Sequence, residues 1–152
     1  MKISVVGSGM IATEVMQLLR AEFPEIEIVS IFVRPSSLEK GRELANRFNV
    51  PAVYTDYEEL LAQDMDFVYV ANVNKVHFEY ARKALLAGHN VILEKPFCST
   101  LEQAQELFRI AEEKHLYLFE AVSLLFMPNF QMIKDNLHRI GNVHIVECNY
   151  SQ

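Results

Sequence analysis

MKISVVGSGMIA, residues 1–12, decides how the rest of the chain is read. Lys2–Val6 is a short strand-like run, and Gly7 ends it. Ile11, Val15, Leu18 and Leu19 then fall on one helical face, which predicts a helix to about Phe23, closed by Pro24. At the junction lies Gly7-Ser8-Gly9-Met10-Ile11-Ala12, a G-x-G-x-x-A pattern. Gly7 permits the tight turn, Gly9 lets a diphosphate approach the backbone, and Ala12 is small enough for the helix to pack on the strand. The first helical turn, with Met10 and Ile11, presents free N–H groups and the positive end of the helix dipole to an anion. Gly7, Gly9, Met10, Ile11 and Ala12 are therefore candidate dinucleotide-binding residues. A glycine loop alone is a weak signal, since methyltransferases also carry one after their first strand. The strand before it and the helix after it are the context that dinucleotide binding requires.

Strands and helices alternate outward from this unit. Ile26–Val33 reads as a buried strand, and Ser36 with Glu39 makes a capping box for a helix to about Phe48. Ala52–Tyr54 is a short strand, and Asp56 with Glu59 caps a short helix. Phe67–Ala71 is a strand, Asn74–Ala87 a helix stopped by Gly88, and Asn90–Leu93 a strand. Thr100 with Gln103 caps a helix whose Leu101, Ala104, Leu107 and Ala111 share a face, and Leu116–Phe119 is a sixth strand. Strands joined by right-handed helical crossovers give an α/β fold with a doubly wound parallel sheet. Residues 1–120 are expected to form this domain. Residues 121–152 then read as a crossover helix, Pro128–Arg139, and a strand, Val143–Tyr150, with no partner following it. That unpaired apolar edge leads us to expect an incomplete second α/β domain.

The end of the second strand speaks to the kind of dinucleotide. A site for NAD usually has Asp or Glu there to bond the ribose 2′-hydroxyl. Here the position falls on Val33 or Arg34. Arg34 can pair with a 2′-phosphate, and Ser36 or Ser37 can donate to it, which favours NADP over NAD.

The fifth strand ends in Glu94-Lys95-Pro96. Ligands of such sheets bind beyond the carboxyl ends of the strands. A lysine there can hydrogen-bond a substrate hydroxyl and stabilise a developing alkoxide. From the residues alone, a surface lysine before a turn-forming proline is an equal reading.

Composition narrows the partners. The net charge is −6 with no Lys/Arg cluster, which argues against nucleic acid and anionic membrane surfaces. Cys98 and Cys148 are far apart and read as reduced thiols of a cytoplasmic protein. No close spacing of His, Cys and carboxylates suggests a metal site.

Three stretches together resemble the glucose–fructose oxidoreductase/inositol dehydrogenase/MocA family. They are the glycine loop, Ala71-Asn72-Val73-Asn74 with His77, and Ala84-Leu85-Leu86-Ala87-Gly88-His89-Asn90-Val91-Ile92-Leu93-Glu94-Lys95-Pro96. The resemblance covers nearly the whole chain. It implies an NAD(P)-dependent dehydrogenase or reductase of a sugar, polyol or related small molecule. Lys95 would contact the substrate hydroxyl near the nicotinamide, and Glu94 would lie near the nicotinamide ribose. Ala71, Asn72 and Val73 would line the cofactor crevice, with His77 closing it, and the Lys95–Pro96 bond would be cis. The family's C-terminal domain binds substrate and forms the oligomer face, so a homo-oligomer is expected at full length. The chain departs from the pattern in two places. Asn72-Val73 stands where many members have Thr-Pro, and Leu125 where related dehydrogenases carry Arg. None of His77, His89, His115, His138 or His144 matches the family's acid/base histidine. His89, after Gly88, reads as a helix-capping residue. The other reading of the chain is a nucleotide-binding fragment or sensor without turnover.

Overall fold

Lys2–Val6 (β1) is the central strand of a six-stranded parallel sheet of order β3-β2-β1-β4-β5-β6. Its neighbours are Glu27–Phe32 (β2) and Phe67–Val70 (β4); Ala52–Tyr54 (β3), Asn90–Leu93 (β5) and Leu118–Glu120 (β6) complete it. The computed structural model describes residues 1–149. The strand order reverses between β1 and β4, which makes the carboxyl ends of these strands the topological switch point of a doubly wound fold. The expected fold class is what the structure shows.

Side chains alternate across β1, so it feeds two cores. Val5 and Ile3 pack with Ala12, Met16, Ile28 and Ile31 on one side of the sheet; Val6 packs with Phe32, Val68, Leu85 and Leu107 on the other. Ser4 and Ser30 face each other in register, both buried, and their hydroxyls bond at 2.7 Å, which relieves the cost of burying them.

The helices are Met10–Glu22 (α1), Leu38–Phe48 (α2), Tyr57–Leu61 (α3), His77–Ala87 (α4), Leu101–Glu113 (α5) and Pro128–Asn136 (α6). Several expectations are corrected here. In α1 the buried centre is Ala12 and Met16, whereas Leu18 is 54% exposed because it lies at the far edge of the apolar stripe. In α5 Leu101 is exposed and Ile110 takes its place in the core beside Leu107 and Ala111. The Ser36–Glu39 capping box does not form. Pro35 opens a 3-10 turn, Pro35–Ser37, so α2 starts only at Leu38, without a side-chain cap, and Glu39 pairs with Arg42 at 2.9 Å. Asn74–Val76 is likewise a 3-10 turn leading into α4, and Leu137–Ile140 one following α6.

Two caps stand as read. Asp56 accepts from the Glu58 and Glu59 amides, and Thr100 accepts from the Gln103 amide. Gly88, at φ 96°, ends α4, and the His89 N–H completes the cap by donating to Ala84 O at 3.0 Å; the His89 side chain takes no part in it. The His89 ring instead contacts the carbonyls of Leu61 (2.8 Å) and Met65 (3.4 Å), tying the end of α3 to the start of β5.

The chain divides into two compact units, Met1–Ala121 and Val122–Gln152. In the second, residues 143–149 are not a strand; Tyr150 lies outside the described residues. A ladder needs a partner, and without one Ile145 and Val146 stand 87% and 74% exposed.

Candidate functional site

The carboxyl ends of β1, β2 and β4 are drawn together by hydrogen bonds. Gly7 N–H donates to Phe32 O at 2.9 Å, and Ala71 N–H donates to Val6 O at 2.9 Å. Gly7 sits at φ 129°, and a Cβ there would lie 2.6 Å from Ala71 O. Glycine is thus dictated by the protein itself at this turn. Gly9 differs. Its backbone is extended, φ −77° and ψ −176°, open to any residue, and a Cβ would meet nothing within 4 Å. The absent side chain leaves free the space in front of the α1 amino terminus.

That space belongs to a cleft of about 530 Å3, within the span of ligand pockets. Gly7, Gly9, Met10, Ile11, Arg34, Ser37, Ala71, Asn72 and Val73, all expected from sequence, line it. Of the other candidates, Ala12 is fully buried and serves packing, Ser36 is exposed on its 3-10 turn, and His77, Glu94 and Lys95 lie outside the lining. The cleft adds Lys40, Lys75 and Tyr80. Lys40 lies on α2, six residues after Arg34; a second cation at that spacing was the available sequence signal. Arg34 and Lys40 together suit the 2′-phosphate end of a dinucleotide.

The residues fit a dinucleotide on two observations. The open cradle at Gly9 is one. The other is Asn72 Oδ1, buried on the cleft with no hydrogen-bond partner, an acceptor without a donor.

Beside the cleft, β5 ends in a pinned corner. Tyr69 Oη donates to Glu94 Oε1 at 2.6 Å, and Lys95 N–H donates to Glu94 Oε2 at 3.2 Å. Burial, then the bond to Glu94, pushes the Tyr69 phenol well above its ordinary pKa, so it stays a donor. His77, 1% exposed, places Nδ1 3.0 Å from Pro96 O and Nε2 3.1 Å from Asn72 O. Phe97 N–H donates to Glu120 Oε1 at 3.2 Å. The Lys95–Pro96 bond is cis, as the resemblance implied. Sequence did not single out Tyr69 or Glu120 as site residues; the signal for Tyr69 was a polar tip on a strand entering the crevice.

Among the described residues no group of three or more His, Cys, Asp or Glu is arranged to hold a metal, and no helix is long and apolar enough to cross a membrane.

Comparison with known proteins agrees with this geometry. The chain is 30% identical to scyllo-inositol 2-dehydrogenase (NADP(+)) IolU of Bacillus subtilis over 152 residues, 99% of this chain and 45% of that protein. It is 28% identical to trans-1,2-dihydrobenzene-1,2-diol dehydrogenase of Xenopus tropicalis, over 98% of this chain and 46% of the relative. The chain thus spans about half the length of these relatives. Among solved structures, the 3-ketoreductase KijD10 of Actinomadura kijaniata in complex with TDP-benzene and NADP superposes with a TM-score of 0.83 at 32% identity, covering 91% of this chain and 43% of that one. GenD2 from gentamicin A biosynthesis, in complex with NAD, gives 0.82 at 29%, covering 89% and 38%. A family profile described as "Oxidoreductase family, NAD-binding Rossmann fold" matches residues 1–122, and the chain belongs to that family, Gfo/Idh/MocA.

Proposed function

We propose that this chain is the dinucleotide-binding part of an NAD(P)-dependent dehydrogenase or reductase acting on a hydroxyl or carbonyl of a sugar, polyol or related small molecule. Residues 1–120 hold the cofactor, and residues 121–152 begin a substrate and oligomerisation domain. The observation that carries the reading is Gly9: neither its backbone angles nor its protein neighbours require glycine, so the open space serves a ligand. The amides of the α1 start receive the diphosphate, and Arg34, Ser37 and Lys40 receive the 2′-phosphate, favouring NADP. Asn72 Oδ1 accepts from the cofactor's nicotinamide half. When bound, the nicotinamide supplies or accepts a hydride. Lys95 donates from its ammonium to the substrate oxygen and stabilises the charge that develops there. A reduced, cytoplasmic setting fits the two free cysteines, Cys98 and Cys148.

Titration of NADPH and NADH fluorescence tests the reading. Both bind, NADPH more tightly; binding of neither overturns it. On a panel of polyols that includes scyllo-inositol, the 152-residue chain turns over poorly, because it spans less than half of its relatives. In a form that does turn over, Lys95→Ala lowers kcat on the order of a hundredfold with cofactor affinity nearly intact. Unchanged kcat removes Lys95 from the chemistry. Cofactor binding with no turnover in any longer form favours a nucleotide-binding module instead.

A further inference from the structure

Lys95 presents a positional problem. It is exposed, and its ammonium makes no ion pair among the described residues. A four-carbon stem with nothing holding its tip samples many rotamers. Whatever order the ammonium has must come from the backbone beneath it.

That backbone is fixed on both sides. Glu94, the residue before Lys95, is held by Tyr69 Oη at 2.6 Å, and its second carboxylate oxygen accepts the Lys95 amide at 3.2 Å. Pro96, the residue after it, has its carbonyl 3.0 Å from His77 Nδ1. The same His77 ring reaches Asn72 O at 3.1 Å through Nε2. Asn72 lines the cleft. With its N–H on Nδ1 the ring holds the corner at Pro96 O, its Nε2 edge packed toward the cleft wall at Asn72, while Tyr69 ties the corner to β4. Both anchors are rigid aromatic groups in the core, with Tyr69 9% and His77 1% exposed. Neither group lines the cleft.

We propose that Tyr69 and His77 are positioning residues for Lys95: the phenol fixes Glu94, the imidazole fixes Pro96, and the lysine between them leaves the sheet in one direction, toward the nicotinamide end of the cleft. The proposal rests on the role given to Lys95 above. It says that the geometry of the reactive corner is carried by a hydroxyl and a ring nitrogen that touch neither cofactor nor substrate.

The test uses the 152-residue chain, which is small enough for amide NMR, with NADPH and 2′-phospho-ADP-ribose as probes. The second probe lacks the nicotinamide. Tyr69→Phe removes one oxygen and keeps the ring. It shifts the Lys95 amide resonance, leaves the Gly9 amide in place and the affinity for both probes within twofold, and in a form that turns over it lowers kcat by about tenfold. Tyr69→Phe with Glu94→Gln lowers kcat no more than Glu94→Gln alone, because the phenol acts through that carboxylate. His77→Phe repeats the loss of kcat, and His77→Asn, whose amide can donate near the Nδ1 position, restores part of it. An unmoved Lys95 amide or an unchanged kcat overturns the proposal, as does weakening of both probes, which marks general destabilisation. If Lys95→Ala leaves kcat unchanged, the Lys95 role fails and the proposal with it; a Lys95 amide that still responds to Tyr69→Phe separates that failure from the absence of a clamp.

Discussion

The two ends of the site are built in opposite ways. The glycine loop at the end of β1 works by missing atoms: no Cβ at Gly7, where Ala71 O would stand 2.6 Å away, and none at Gly9, where there is open space. The Glu94–Pro96 corner at the end of β5 works by side chains that must be present, Tyr69 and His77. A site made of backbone is broken by adding atoms, whereas a site made of side chains is broken by removing them. On the proposed function, the loop holds a group shared by many ligands, the diphosphate, while the corner places one ammonium.

The two glycines of the loop separate folding from binding, and the largest effects are expected there. Gly7→Ala forces a side chain into φ 129° and against a backbone carbonyl. It should lower the unfolding free energy by about 3 kcal/mol, read by urea denaturation of the chain. Gly9→Val has an extended backbone to sit on and its Cβ meets nothing within 4 Å, so its unfolding midpoint should fall far less than that of Gly7→Ala, by no more than the loss of a favourable cap residue. Its NADPH affinity should fall on the order of a hundredfold, because the added methyls occupy ground the diphosphate needs. A Gly9→Val chain that binds NADPH normally would break the contrast between the two glycines.

How much of this was legible in the sequence follows the same division. The loop was readable because its chemistry is backbone chemistry: two glycines, an alanine and the strand and helix around them lie within a dozen consecutive residues. The strands were readable because short apolar runs, most of them holding β-branched residues, alternate with helical stretches. The corner was only half readable. Glu94-Lys95-Pro96 stands out as a string, yet its supports come from 25 residues earlier, in Tyr69, and 19 residues earlier, in Pro96's partner His77. Only the parallel register of β4 on β5, Tyr69 opposite Ile92, brings them together. The errors were local. Ser36 looked like a cap because Ser-x-x-Glu is a capping pattern, but Pro35 claimed the first helical position. Residues 143–149 had strand composition without a strand's partner.

The cation pair at the far end of the cleft sharpens the comparison on affinity alone. Arg34→Ala and Lys40→Ala should each weaken NADPH by about tenfold and leave NADH within twofold, since a charge-assisted bond to the 2′-phosphate is the only contact removed. Isothermal titration with both nucleotides decides it. Equal losses for the two nucleotides would place these side chains on the adenine or the ribose instead and remove the argument for NADP.

The smallest effect calibrates the rest. Asp56 caps α3 through two amide bonds, 2.8 Å to Glu58 N–H and 3.3 Å to Glu59 N–H, and it lines neither the cleft nor the corner. Asp56→Ala should cost about 1 kcal/mol of stability, the usual worth of an amino-terminal cap. The Tyr57 ring that begins this helix packs on Phe32 and Tyr80 with centroids 5.1 and 4.7 Å away, and Tyr80 lines the cleft. That packing is held by buried aromatic area and by Tyr57 Oη donating to Tyr80 O at 3.0 Å, so loss of a cap at the exposed end should not reach the cofactor. NADPH affinity should stay within twofold while the urea midpoint drops. If affinity falls along with the midpoint, stability and binding are coupled through α3, and the loss in any weakened variant of the loop or the corner would have to be corrected for its stability before being read as a lost contact.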